Sequence, residues 1–281
     1  MLKKLSKKAL IHTILIITSL LSIFPFVWLT STSLKGIGED IFAYPPKLIP
    51  TDFTFQNYID VWGKVDFMAY FWNSVIVAAL TVALNLILSS LAAYPLARMQ
   101  FRGKKFVFFS ILATIMIPFQ AIMLPVYIIT LKLHLIDSVN NVMGYIGLVM
   151  PFAVSAFGIF LMRQAFLKVP REVEEAAIVD GCNVFQMFVK VVLPMVKPTL
   201  AVLAVFTFIG SWGEFLWPSI MLTKESMYTL PVGINNLQGM FSSNWRFIAA
   251  GSIISTIPII IFFLMMQRYF ISGENDGAVK G

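Results

Sequence analysis

Six long apolar runs constrain this chain before anything else does. They lie near residues 9–31, 71–96, 106–131, 142–162, 199–222 and 247–270. Each has the roughly 20 residues that a helix needs to cross the hydrocarbon core of a bilayer. Backbone amides in lipid must be bonded within their own segment, and runs of this length lack the alternation over about ten residues that membrane barrels use. The expected fold is therefore an all-α membrane protein with six transmembrane helices. Composition agrees, because 58% hydrophobic residues, 12% charged residues and a mean hydropathy of +0.83 exceed what a soluble core requires.

Basic residues orient these helices, since Lys and Arg are retained on the cytoplasmic side. Lys3, Lys4, Lys7 and Lys8 precede the first run, and Arg98, Arg102, Lys104 and Lys105 fill the second short loop. Arg163, Lys168, Arg171, Lys190 and Lys197 lie between the fourth and fifth runs, with Arg268 and Lys280 after the sixth. Only Lys35, Lys47, Lys64, Lys132, Lys224 and Arg246 fall on the other side. Both termini are thus expected in the cytoplasm: residues 1–8 before one membrane domain over 9–270, and a tail over 271–281. The net charge of +7 is a topology signal and does not indicate nucleic-acid binding. The first run is longer than the apolar core of a cleaved signal, so it is read as an uncleaved span.

Other chemistries find little support. The one cysteine, Cys182, can form no internal disulfide and shares no metal. His12 and His134 are far apart and have no acidic or cysteine cluster beside them. No nucleophile–base pair stands out, and there is no phosphate-binding G-x-x-x-x-G-K-[ST] loop, so this chain is not itself an ATPase.

The segment between the fourth and fifth runs is polar and helix-forming. Pro170 fits a first helical turn, Glu172, Glu174 and Glu175 complement the positive end of the helix dipole, and Gly181 is a natural stop. Asn183 then caps a second short helix that Pro194 and Pro198 interrupt. From the residues alone, this helix–turn–helix is either an interfacial amphipathic hairpin or a contact surface for a soluble partner. Ala176 and Ala177 present a low surface to such a partner.

Glu175-Ala176-Ala177, then Gly181, Val191 and Leu193-Pro194, resembles the EAA motif of ABC importer permeases, with Val191 where isoleucine is common. Asn57-Tyr58, the stretch from Ala92 to Arg98, Pro118 to Pro125, Thr229 to Gly233 and the tail Gly277 to Gly281 extend the likeness to carbohydrate importers of the maltose type, smaller permease. Gly213 departs from it, standing where asparagine is more usual. The resemblance implies a cytoplasmic coupling loop over residues 167–195, a second homologous permease, two cytoplasmic ATPase subunits that carry ATP and Mg, and an extracytoplasmic solute-binding protein. It implies that Glu175 and Asp180 make polar contacts with the ATPase, Ala176 and Ala177 allow close approach, Gly181 makes the turn, and the tail reaches the ATPase dimer. No cofactor is expected on this chain.

Candidate residues for the solute path are polar or aromatic groups inside the runs. Glu214, between Trp212 and Trp217, is either a path carboxylate beside aromatic faces that meet sugar rings, or a solvated group in an interfacial aromatic belt. Asn85 and Gln120 are amides able both to donate to and accept from a polyol, or satisfied packing contacts. A secondary transporter of a small polar solute is the alternative. It would couple through intramembrane ionisable residues in paired repeats, and Glu214 is the one candidate for such a residue.

Overall fold

A computed structural model of the chain describes residues 2–240 and 245–275, so residues 276–281 of the expected tail lie outside the described residues. The helices are α1 (Leu2–Ser33), α2 (Gln56–Lys64), α3 (Phe67–Arg98), α4 (Lys104–Thr114), α5 (Phe119–Lys132), α6 (Asn141–Val149) and α7 (Ala156–Lys168). They continue with α8 (Arg171–Val179), α9 (Val184–Met187), α10 (Lys197–Trp212), α11 (Leu216–Met221), α12 (Leu230–Met240) and α13 (Trp245–Asn275). Among the described residues the only β pairing is an isolated bridge between Lys35 and Phe53.

Among the described residues, three helices are long and apolar enough to cross a membrane unaided: Leu10–Ser33 within α1, Phe67–Arg98, and Trp245–Tyr269 within α13. Three bent pairs bring the number to six if each pair is one span. Here the structure departs from six simple rods. The third run breaks between α4 and α5 with a bend of 98°. Pro118, which lacks an N–H and biases the residue before it toward extended backbone, sits at that break with ψ 140°. The fourth run bends by 57° between α6 and α7, where Pro151 lies in a 3₁₀ turn and Ser155 starts α7 by accepting from the Gly158 amide. The fifth run is interrupted at residues 213–215, and its α10 meets the preceding short helices at 80° around Val196. Hydropathy counts apolar side chains and is blind to these interruptions.

The described residues fall into two compact units, drawn from Met1–Met68 with Gly233–Pro258 and from Ala69–Val232 with Ile259–Gly281. In the first, the apolar side chains of α1 from Leu10 to Val27 are exposed, as a lipid-facing helix requires, and Thr18, Ser22 and Thr30 return their hydroxyls to carbonyls four residues back. The following loop is built around buried polar groups. Asn57 Nδ2 donates to the Ser33 and Lys35 carbonyls, Lys35 Nζ donates to Lys47 O at 2.7 Å, and Glu39 accepts from the Thr51 and Asp52 amides. Burial alone raises the Glu39 pKa. The two backbone donors, with the Lys35 charge, outweigh it and hold the carboxyl below its ordinary value.

Among the described residues, two apolar cores of the second unit stand out. One joins the end of α3 (Ala93, Tyr94, Ala97) to Phe166 on α7 and to the segment after it (Ala177, Met187, Phe188, Val192). The other gathers Val77, Leu148, Trp217, Met221 and Met227.

Candidate functional site

Three of the breaks in the second unit, at residues 115–118, 150–155 and 213–215, open onto one cavity of about 600 Å³. Its wall takes Val77, Thr81 and Asn85 from α3, Ile115, Ile117 and Phe119 from the first break, Phe152 and Ser155 from the second, and Gly210, Ser211, Glu214 and Trp217 from the third. Irregular backbone at membrane depth is tolerated only where protein or a wet cavity satisfies it, so this convergence explains why the helices break there. Asn85 shows how: 2% exposed, it donates from Nδ2 to the Phe152 carbonyl at 3.0 Å, a group that the 3₁₀ turn leaves without a helical partner. Its Oδ1 accepts from Ser89 at 3.2 Å and Ser155 at 3.4 Å. Gly158 makes the approach possible, because a Cβ there would stand 2.6 Å from Ser89 Oγ and 3.0 Å from Asn85 Oδ1.

Glu214 serves the third break in the same way, with Oε1 accepting from the Trp217 amide at 3.0 Å at the start of α11. Trp217 is fully buried, donates from Nε1 to Gly147 O, and meets Phe119 edge to face at 5.6 Å. The cavity thus brings together Asn85, Glu214 and Trp217. It does not include the other two residues expected with them. Trp212 is 2% exposed and packs among Phe71 and Phe208, so its ring belongs to the interior of the helix bundle. Gln120 is exposed and lies outside the cavity wall. Thr81, Ser155, Thr207 and Ser211, single hydroxyls within apolar runs, also reach the wall and gave no separate signal in the sequence.

The polar hairpin forms as its residues dictate. Asp180 follows the last turn of α8, and Gly181 takes φ +82°, a left-handed conformation that a side chain disfavours. Its N–H bonds to Ile178 O, and the Cys182 N–H to Ala177 O, closing the helix as a Schellman turn. Asn183 and Gln186 then make a reciprocal capping box on α9. That helix passes into a wider π turn, Phe188–Val192, and ends in Leu193–Met195, where Leu193 is half-buried and Pro194 exposed.

One expectation for the hairpin needs correction. Ala177 is 6% exposed and packs into the chain's own core, so it offers no free surface, while Glu175, Ala176 and Asp180 are exposed. Alanine is small there so that α8 can lie close to its own protein. The sequence also did not single out a buried ion pair, Arg98 Nε to Glu174 Oε1 at 2.9 Å, with side chains 8% and 14% exposed.

A multi-pass membrane protein whose broken helices enclose a solute-sized cavity, with a polar hairpin beyond the last turns of its helices, is built as a transport subunit. The chain belongs to the family of binding-protein-dependent transport system inner membrane components, which matches residues 85–273. It is 36% identical over 272 residues to the arabinooligosaccharides transport system permease protein AraQ of Bacillus subtilis (strain 168), covering 94% of this chain and 92% of the relative. It is 32% identical to the lactose transport system permease protein LacG of Rhizobium radiobacter, with 96% and 95% covered. Among solved structures it is similar to a chain of a bacterial ABC transporter involved in the import of the acidic polysaccharide alginate, with TM-score 0.79, 27% identity and 94% and 97% of the two chains covered. It is thus a permease subunit of an ABC importer, with no enzyme activity of its own to assign.

Proposed function

We propose that the chain pairs with a second homologous permease to form the uptake path for a neutral sugar or sugar-like solute. An extracytoplasmic binding protein delivers the solute, and two cytoplasmic ATPase subunits, carrying ATP and Mg, drive the cycle through the α8–α9 hairpin. The observation that carries the sugar reading is the wall of the cavity. It combines amide, hydroxyl and carboxylate groups with aromatic faces at Phe119, Phe152, Phe157 and Phe206, and among its described lining residues there is no Lys or Arg. Hydroxyl-rich solutes are held by donors and acceptors of this kind, whereas anionic ones need basic partners. Relatives named for arabinooligosaccharide and lactose transport support the same class.

Uptake by the reconstituted complex tests this. Supplied with its binding protein and ATP, the wild type should accumulate at least one of a panel of radiolabelled neutral di- and oligosaccharides. Asn85→Leu, which strips the wall of its central amide, should lower uptake by about tenfold while the subunits still co-purify. Uptake that continues without ATP would favour a secondary transporter, and accumulation of uronate oligosaccharides in preference to neutral ones would remove the neutral-sugar reading.

Sidedness follows from the distribution of Lys and Arg. In a Cys182→Ala background, Ile49→Cys (residue 83% exposed) should react with an impermeant thiol reagent added outside intact cells. Val179→Cys (residue 87% exposed) should react only after permeabilisation. The reverse pattern would place the hairpin out of reach of any cytosolic ATPase.

A further inference from the structure

One path from the hairpin to the cavity runs through the end of α3. Arg98 is the last residue of α3, the same uninterrupted helix that places Val77, Thr81 and Asn85 on the cavity wall. Its guanidinium pairs with Glu174 in the first half of α8 and donates to the Val169 carbonyl just before that helix. One turn back along α3, Tyr94 packs against Phe166 (centroids 5.8 Å, edge to face) and against Phe188 of the π turn (5.0 Å). The hairpin therefore grips α3 by a charged fork and by an aromatic ring.

The two faces of α8 differ. Glu174 and Ala177 lie against the protein, while Ile178 (59%) and Val179 (87%) are exposed, and Gly181 has open space around it. A helix held along its inner face and open on the other passes a push on to whatever holds it. Other basic residues here do different work. Arg163 Nε donates to Leu96 O and lies over the Phe108 ring, and Lys104 Nζ donates to the Ala97 and Met99 carbonyls. Both satisfy carbonyls at the end of α3, and neither is paired with an α8 carboxylate in the structure.

We infer that Arg98 is a positioning residue for energy coupling: its fork to Glu174 and the Val169 carbonyl makes α8 and α3 move as one piece, so a push on the exposed face of α8 reaches the cavity wall. This rests on the reading of the hairpin as the ATPase dock. Long, flexible side chains would be a poor link on an exposed surface. Here the pair is largely shielded from water, and separating it leaves a poorly compensated charge.

The test uses the whole transporter with both permeases, ATPases and binding protein. Arg98→Glu and Glu174→Arg should each lower the solute carried per ATP hydrolysed by about tenfold or more, and the double reversal should recover a substantial part of the loss. Recovery stays partial because an arginine near the positive end of α8 is disfavoured. Arg98→Lys keeps the charge but loses the fork, and should fall between wild type and Arg98→Glu with the complex assembled. If the double reversal does no better than the singles, or Arg98→Lys carries as much solute per ATP as wild type, the fork is not the coupling link. If wild-type permease brings no ATPase with it, the docking reading falls, and the coupling role with it. A wild type that holds its ATPase alongside an unrescued swap removes the Arg98 role alone.

Discussion

Glu175→Lys is expected to insert and fold normally and yet to lose its ATPase. The side chain is exposed on α8, so reversing its charge leaves the chain's own packing intact. In the docked complex the same position would be desolvated against a partner surface. Truncating one member of a buried, hydrogen-bonded charge pair costs about 2–5 kcal/mol or more, and reversal adds repulsion. That corresponds to an affinity loss of roughly 30-fold to several thousand-fold, enough for the ATPase to be lost during purification and for uptake to fall to background. Gly181→Ala should be milder. A Cβ there meets nothing within 4 Å, but φ +82° costs a non-glycine residue about 1–2 kcal/mol, which loosens the turn without adding a repulsive charge. Quantitative co-purification from membranes, normalised to inserted permease, reads both. A Glu175→Lys permease that keeps its ATPase and transports at the wild-type rate would show that the exposed face of α8 is not the dock.

Local chemistry made the hairpin legible. Pro170, Gly181, Asn183 and Pro194 each act within a few residues of their own position, and the structure uses the first three as a helix start, a left-handed stop and a cap. The inward side of α8 was not legible, because Ala177 and Ala176 are identical in sequence and differ only in which one meets Tyr94, Phe166 and their neighbours. In the apolar runs, length and composition located the spans but not their bends. Pro118 and Pro151 mark two of the bends, whereas Pro25, Pro95 and Pro258 lie inside continuous helices, so proline alone does not decide. At two of the breaks a side chain takes up a backbone group, Asn85 for Phe152 O after Pro151 and Glu214 for the Trp217 amide at the start of α11. Such partners lie some 67 residues apart in one case and three in the other, and only the nearer one falls within a sequence window.

Asp137→Ala should produce the largest loss of stability, since this carboxylate is fully buried and organises a loop that would otherwise have unsatisfied donors. Oδ2 accepts from the Thr223 amide at 2.8 Å and the Lys224 amide at 2.7 Å, and Oδ1 accepts from Thr223 Oγ1 at 2.9 Å. Hydrogen bonds to charged groups contribute about 1.5–3 kcal/mol each, and three that converge on one side chain are not additive, so a net loss of about 3–5 kcal/mol is expected. Against a total stability on the order of 5–15 kcal/mol this is a large share, and it should lower Tm by roughly 6–20 °C. Thr223→Val, which removes one donor and leaves both amides bonded, should cost about a third as much. The consequence should extend to transport. α11 lies between Glu214, which holds the Trp217 amide at its start, and Thr223–Lys224, which Asp137 holds just past its end. Trp217 and Pro218 on that helix form part of the cavity wall. Releasing one anchor while keeping the other lets the wall shift, so solute affinity should fall even at temperatures where the protein remains folded. Thermal unfolding in detergent and solute-concentration dependence of uptake, measured on the same preparations, separate the two effects. Unfolding within about 1 °C of wild type would show that the Asp137 bonds are replaced by water at no cost.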